Sequence, residues 1–156
     1  MRIIAIDPGE KRWGVAVSDE DAEFASPRDA LLPKTTAEGL ELVAKLANGE
    51  AAQTIVLGLP LDMRGTEGVS AKKSRVLASQ LAQVTRVRIA LWDERLTTVQ
   101  ASRSMRAQGI NAKKQRSKID SAAATILLQS FHDASPSTRE RALLAQKEVA
   151  TPQALK

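Results

Sequence analysis

Three short apolar runs, Ile3 to Ile6, Thr54 to Leu59 and Val87 to Trp92, are separated by stretches with helical spacing. Parallel strands need a crossover of a dozen or more residues, usually a helix. The strand-helix alternation in the second half of the chain therefore predicts parallel pairing with right-handed crossovers.

The chain opens differently. Trp13, Val15 and Val17 alternate with Gly14, Ala16 and Ser18 after a turn at Pro8 to Arg12, which predicts an antiparallel hairpin. Residues 19 to 34 contain Ser26, Pro27 and Pro33 and read as a short third strand at most, followed by a loop. Thr35 with Glu38 has capping-box spacing, and Leu40, Val43, Ala44 and Ala47 predict a helix from about 36 to 48 that stops at Gly49.

A loop through Gly65 and Gly68 leads to a second helix that carries Leu77, Leu81 and Val84 inward. Thr97 with Gln100 starts a third helix, ending near Gln108 before Gly109. Ser117 with Asp120 precedes a fourth, from about 118 to 132, and a weak helix over 138 to 148 leads into a frayed tail. The expectation is an α/β domain over residues 1–135: a mixed five-stranded sheet, antiparallel hairpin first and parallel strands after, with helices on both faces. Residues 136–156 form a polar C-terminal tail, partly helical.

At 156 residues, 43% hydrophobic and 26% charged, the composition is that of a folded globular domain. No run of eighteen apolar residues occurs, and Asp7 interrupts the first apolar run, so neither a membrane partner nor a signal segment is expected and the cytoplasm is the default location. The chain has no cysteine and one histidine, His132, so any metal site would be built from oxygen ligands, which suit Mg2+ or Mn2+.

Functional groups in open α/β sheets gather beyond the carboxyl ends of the parallel strands. Asp7 ends the first strand and Glu94 follows VRIALW; if these strands are neighbours, the two carboxylates meet in a cleft where only a proton or a cation relieves their repulsion. Asp120 begins a helix whose AAA run, residues 122–124, permits close approach to a sheet. Three acids so placed would suit divalent-metal hydrolysis of a phosphodiester. Singly, each acid has an ordinary role: a turn residue in Asp-Pro-Gly, a surface partner of Arg95 or Arg88, a helix-dipole carboxylate. Asp93 rivals Glu94, because a one-residue register change exchanges them.

Net charge is +5, and its distribution says more than its size. Between Arg95 and Ile119 there is no acidic residue, while Arg95, Arg103, Arg106, Lys113, Lys114, Arg116 and Lys118 supply seven positive charges beside Asp120. This block is a candidate nucleic-acid-binding surface that tracks phosphates without reading sequence. The few aromatics, Trp13, Trp92, Phe24 and Phe131, give no support for recognition of splayed bases.

The segments IDPGEKRWGVAVSD, VLGLPLDMRGTEG, DERLTT and KIDSAAATILLQSF, spanning roughly residues 1 to 133, resemble the YqgF (RuvX) family of pre-16S rRNA nucleases, related to Holliday junction resolvases. The resemblance implies a ribonuclease H-like fold, a cytoplasmic bacterial protein, a divalent metal, Mg2+ or Mn2+, and trimming of the 5′ end of 16S rRNA precursor. It places the catalytic, metal-binding acids on Asp7, Glu94 and Asp120, choosing Glu94 over Asp93. Related junction resolvases carry a fourth acid three residues after the last; here that position is Ala123, which counts against junction resolution.

The expected activity is metal-dependent cleavage of nucleic acid, with rRNA precursor or branched or single-stranded DNA as partner and a homodimer compatible with kinship to resolvases. Two alternatives stand beside it: a Holliday junction or branched-DNA resolvase, and a non-catalytic RNA- or ribosome-binding protein. Sugar kinases and actin-like ATPases share the strand, Asp-x-Gly turn and strand, but need a second lobe and a second glycine-rich loop that this length does not allow.

Overall fold

The computed structural model describes residues 2–21, 24–96 and 121–143. Its strands are β1 (Arg2–Pro8), β2 (Trp13–Ser18), β3 (Ala25–Leu31), β4 (Ala52–Leu59) and β5 (Arg88–Asp93). The helices are α1 (Thr36–Gly49), α2 (Val69–Val84) and α3 (Ala122–Asp133). The strands form one sheet in the order β3-β2-β1-β4-β5. Pairs β1–β2 and β2–β3 are antiparallel, and β1–β4 and β4–β5 are parallel, as the alternation of elements predicts.

Period-two alternation along β1 divides the core. Ile4 and Ile6 face one side with Val15, Val17, Ile55 and Leu57, covered by α1 and α2 through Val43, Leu77 and Leu81. Ile3 and Ala5 face the other side with Ala16, Val56 and Ala90, covered by α3 through Ala124, Leu127, Leu128 and Phe131. The second face is mostly alanine near its centre, which lets α3 lie close to the sheet. Trp92 closes this layer, edge-on to Phe131 at 5.1 Å between ring centroids, with its indole N–H donating to Ser130 Oγ at 3.1 Å.

Buried polar groups then fix α3. Ser121 is fully buried just before the helix and sits at a register shift between β2 and β3, where Trp13 pairs with Leu31 and Val15 with Arg28. Its Oγ accepts from Val15 N at 2.9 Å and donates to the Arg28 carbonyl at 2.6 Å. At the other end Gln129 Oε1 accepts from Ala25 N at 3.1 Å. One hydroxyl thus satisfies a donor and an acceptor that the bulge removes from the ladder.

Two local expectations change. The third strand runs the full seven residues of β3 through Pro27, which is accommodated because β3 lies at the sheet edge. Val84 is 48% exposed at the end of α2 and does not join Leu77 and Leu81 in the core. The stop of α1 at Gly49 is as expected, and a positive φ, 52°, follows at Ala51. The Thr35 cap is as expected, accepting from Glu38 N at 3.1 Å.

Residues 136–143 are helical, and Ala142 and Leu143 pack against the α3 layer. The helix expected over Thr97 to Gln108 lies outside the described residues, as does the rest of the tail. Among the described residues no helix is long and apolar enough to cross a membrane.

Candidate active site

Asp7 lies at the carboxyl end of β1, opposite Gly14 across the hairpin. The turn beyond it is held by Gly9 N donating to the Arg12 carbonyl at 3.0 Å, and a Cβ on Gly9 would press on that oxygen. Glu94 opens a single 3-10 turn (Glu94–Leu96) directly after β5. The two strands are not neighbours, because β4 runs between them. Their backbones are therefore roughly 9–10 Å apart, two strand spacings.

The carboxylates approach because of what β4 lacks. Gly58 on β4 is buried, and a Cβ there would collide with Glu94 Oε1 and come within 3.2 Å of its Cγ and Cδ. The Glu94 side chain thus folds across Gly58 toward β1. A Cβ at 58 would force the Glu94 carboxylate to shift.

The electrostatics follow from this approach. Burial pushes the Asp7 carboxyl above its ordinary range. Glu94 is pushed up first by burial, then by the charge of Asp7 and then by that of Asp93. Asp93 behaves in the opposite way: a hydrogen bond from Arg95 holds it below the carboxylate range. Arg95 donates from Nη2 to Asp93 Oδ2 at 2.7 Å and from Nε to Oδ1 at 3.0 Å, while its backbone N–H also reaches Oδ1 at 2.9 Å. Asp93 is committed to bracing the turn, and Glu94 is the acid that lines the cleft.

The loop from β4 to α2 leans on the same brace. Asp62 Oδ1 accepts from Arg64 N at 2.9 Å and Thr66 N at 2.8 Å, and Gly65 takes φ +79°, a conformation that favours glycine. The Arg95 guanidinium lies over Gly65, 3.4 Å from where a Cβ would stand. Arg95, a candidate for nucleic-acid contact, is thus engaged with Asp93 and Gly65.

Asp7 and Glu94 open into a cleft of about 830 Å3. Its floor includes Gly58 and Glu10, and its walls are the loop before α1 and the leading half of α2, contributing Lys34, Thr36, Ser70 and Lys73. Sequence patterns do not single out Glu10, Lys34, Ser70 or Lys73. The Thr35 capping box marks the wall near Lys34, but which way the polar face of α2 points depends on the sheet order.

Asp120, Arg103, Arg106, Lys113, Lys114, Arg116 and Lys118 lie outside the described residues. Among the described residues no three of His, Cys, Asp and Glu gather into a metal-binding group. Two acids are brought together, then, and both carry oxygen donors whose ionisation the site opposes. A divalent cation fits such a pair, since it removes the repulsion that a buried carboxylate pair otherwise relieves by protonation.

A sequence model described as "RuvX: Holliday junction resolvase" matches residues 1–134. A protein of Anaeromyxobacter sp. (strain K) named "Putative pre-16S rRNA nuclease" is 38% identical over 133 residues, covering 85% of this chain and 97% of the relative. One of the same name from Chloroflexus aurantiacus is 35% identical over 139 residues, covering 89% and 91%. Among solved structures, RuvC of T. thermophilus in complex with a Holliday junction substrate superposes with a TM-score of 0.60 at 13% identity, over 84% of this chain and 92% of RuvC. The Fowlpox virus resolvase bound to Holliday junction DNA gives 0.53 at 14% identity, over 85% and 97%. At such identities the structures share the fold, while the sequence match over most of the chain establishes kinship: the chain belongs to the RuvX family.

Proposed function

We propose that this chain is a divalent-metal-dependent nuclease that hydrolyses phosphodiester bonds in the 5′-end processing of 16S rRNA precursor, with Asp7, Glu94 and Asp120 holding Mg2+ or Mn2+. The observation that carries the reading is that Asp7 and Glu94 line one cleft at the carboxyl ends of the sheet, each pushed toward its protonated form, Glu94 in part by the charge of Asp7. Its relatives' names supply the substrate class.

In this reading Asp7, Glu94 and Asp120 would hold the metal, which would supply activation of the attacking water and charge stabilisation at the leaving oxygen. The chain's own residues prepare the place. Asp7 and Glu94 are held half-buried, where a charged pair has high affinity for a cation; Gly58 leaves room for Glu94; and the Asp93–Arg95 brace fixes the turn that carries it. Asp120, one residue before the buried Ser121, completes the ligand set, and the basic residues from Arg103 to Lys118 hold the backbone of the substrate. Ala123, exposed at the start of α3, supplies no fourth acid, which favours this reading over junction resolution.

The test incubates purified protein with labelled precursor-like RNA, single-stranded DNA and a four-way junction in Mg2+ or Mn2+. Metal-dependent cleavage of the RNA, lost in Asp7→Asn and in Glu94→Gln, is expected. Cleavage that survives in the double variant would overturn the assignment of the acids. Preferential cutting of the junction would move the chain to the resolvase reading.

A further inference from the structure

The cleft carries charge of both signs. Its lining combines the acids Asp7, Glu94 and Glu10 with Lys34, just before α1, and Lys73, in the second turn of α2. Both lysines are exposed, and neither is in an ion pair among the described residues. The contrast with Arg75, two residues further along α2, is direct, since that side chain is spent on Glu67. Two unspent ammonium groups lining the same cleft as the acids are the charge pattern of a site whose ligand carries several negative charges in a row.

A phosphodiester strand has that pattern. When one phosphate lies at the acids, the phosphates one nucleotide away on either side are repelled by Asp7 and Glu94 and need cations of their own. Lys34 and Lys73 are the cations that line the same cleft. The hydroxyls of Thr36 and Ser70 stand beside them as donors. The leading end of α2 adds to the potential: its cap, Gly68, makes no side-chain hydrogen bond, and its first turn has no acidic residue to offset the positive end of the helix dipole. Apolar surface for sugars and bases is present as well, in Pro33 and in Val76, which is 57% exposed.

The size of the cleft limits what enters. At about 830 Å3 it falls within the roughly 300–1,000 Å3 of sites that enclose a single small ligand. A short stretch of one strand fits such a volume. We propose that Lys34 and Lys73 grip the phosphates flanking the one at the acids, so that the substrate enters between α1 and α2 as a single strand. This rests on the nuclease reading for the place of the central phosphate, and it assigns a phosphate-binding wall apart from the Arg103 to Lys118 block.

The test is binding rather than cleavage, in the Asp7→Asn background without metal. Affinity for a fluorescein-labelled ten-nucleotide single-stranded RNA is measured from 50 to 200 mM salt for that protein and for Lys34→Ala with Lys73→Ala added. The double substitution is expected to weaken binding about tenfold or more at the low salt and to flatten log K against log salt by about 1.4, at roughly 0.7 per lost contact. Lys72→Ala, on the same helix but outside the cleft, serves as the matched charge control and should leave both unchanged. Unchanged affinity and slope in the double variant would overturn the proposal, as would equal lysine dependence for a blunt duplex of the same sequence. Failure of the nuclease reading registers separately, as absence of cleavage by the unaltered protein while the lysine dependence of binding persists.

Discussion

Glu94 reaches the site only by lying across Gly58, whose missing side chain is the space that the carboxylate occupies. Gly58→Ala should therefore act on catalysis more than on folding. Overpacking of a methyl costs about 1–3 kcal/mol, while displacing a ligating group by about 1 Å costs on the order of a hundredfold in rate. Thermal unfolding and single-turnover cleavage on the same protein check this; a variant that loses stability but keeps its rate would contradict the geometry.

Asp7 and Glu94 oppose folding in their ionised forms. Their folded-state pKa values lie above the ordinary 3.8 and 4.5, so the native state binds more protons than the unfolded chain, and stability falls as pH rises from those values through the raised ones. Asp7→Asn and Glu94→Gln should each raise the melting temperature of metal-free protein at pH 7, and the gain should shrink below about pH 4, where the unaltered carboxyls are protonated too. Melting curves from pH 3 to 8 in chelator measure it.

Metal should reverse that balance. A cation that binds the folded chain at a hundred times its dissociation constant stabilises by about 2.7 kcal/mol, worth roughly 2–4 °C per kcal/mol at this size. Mg2+ or Mn2+ is expected to raise the melting temperature of the unaltered protein and to leave Asp7→Asn with Glu94→Gln unmoved. An equal rise in both would place the ion elsewhere.

The Asp93–Arg95 brace separates two roles for Arg95. Loss of the guanidinium in Arg95→Ala leaves the Asp93 charge unneutralised beside Glu94, pushing the Glu94 carboxyl higher and moving the acid limb of the kcat/KM profile toward higher pH. Asp93→Asn removes that charge and moves the limb the other way. The pair is exposed enough that losing it should change stability little. If Arg95→Ala instead raises KM with an unshifted pH profile, Arg95 contacts the substrate.

Ser121→Ala leaves Val15 N buried without its partner and takes the partner from the part-buried Arg28 carbonyl. A loss of about 1–3 kcal/mol, the cost of one buried unsatisfied group, is expected in urea denaturation. A shift below about 0.5 kcal/mol would mean that the bulge closes on itself.

Much of this architecture is legible in residue order because its cause is local. Alternation in IIAI and in WGVAV sets the two faces of the hairpin, and Thr35 with Glu38 sets the start of α1. Asp7 and Glu94 are legible as strand-end acids for the same reason. What is not legible depends on the sheet order. The sequence does not say that β4 lies between the two acids, and so nothing in its pattern marks Gly58 as the residue over which Glu94 lies. Lys34 and Lys73 are hidden for a related reason, since 38 intervening residues separate two side chains that share a cleft only after two crossovers. Pro27, a breaker by local rules, is tolerated because its strand has one open edge.

The insertion of β4 between β1 and β5 also has a consequence for when this chain becomes dangerous to nucleic acid. Neither acid has the other for company until β4 has paired on both sides, and each pairing waits on the closure of a long, slow loop. A nascent or partly unfolded molecule can hold Asp7 in its hairpin while Glu94 is still far away. Under the proposed assignment of the acids, cleavage is thereby reserved for the finished molecule, a safety catch set by strand order alone.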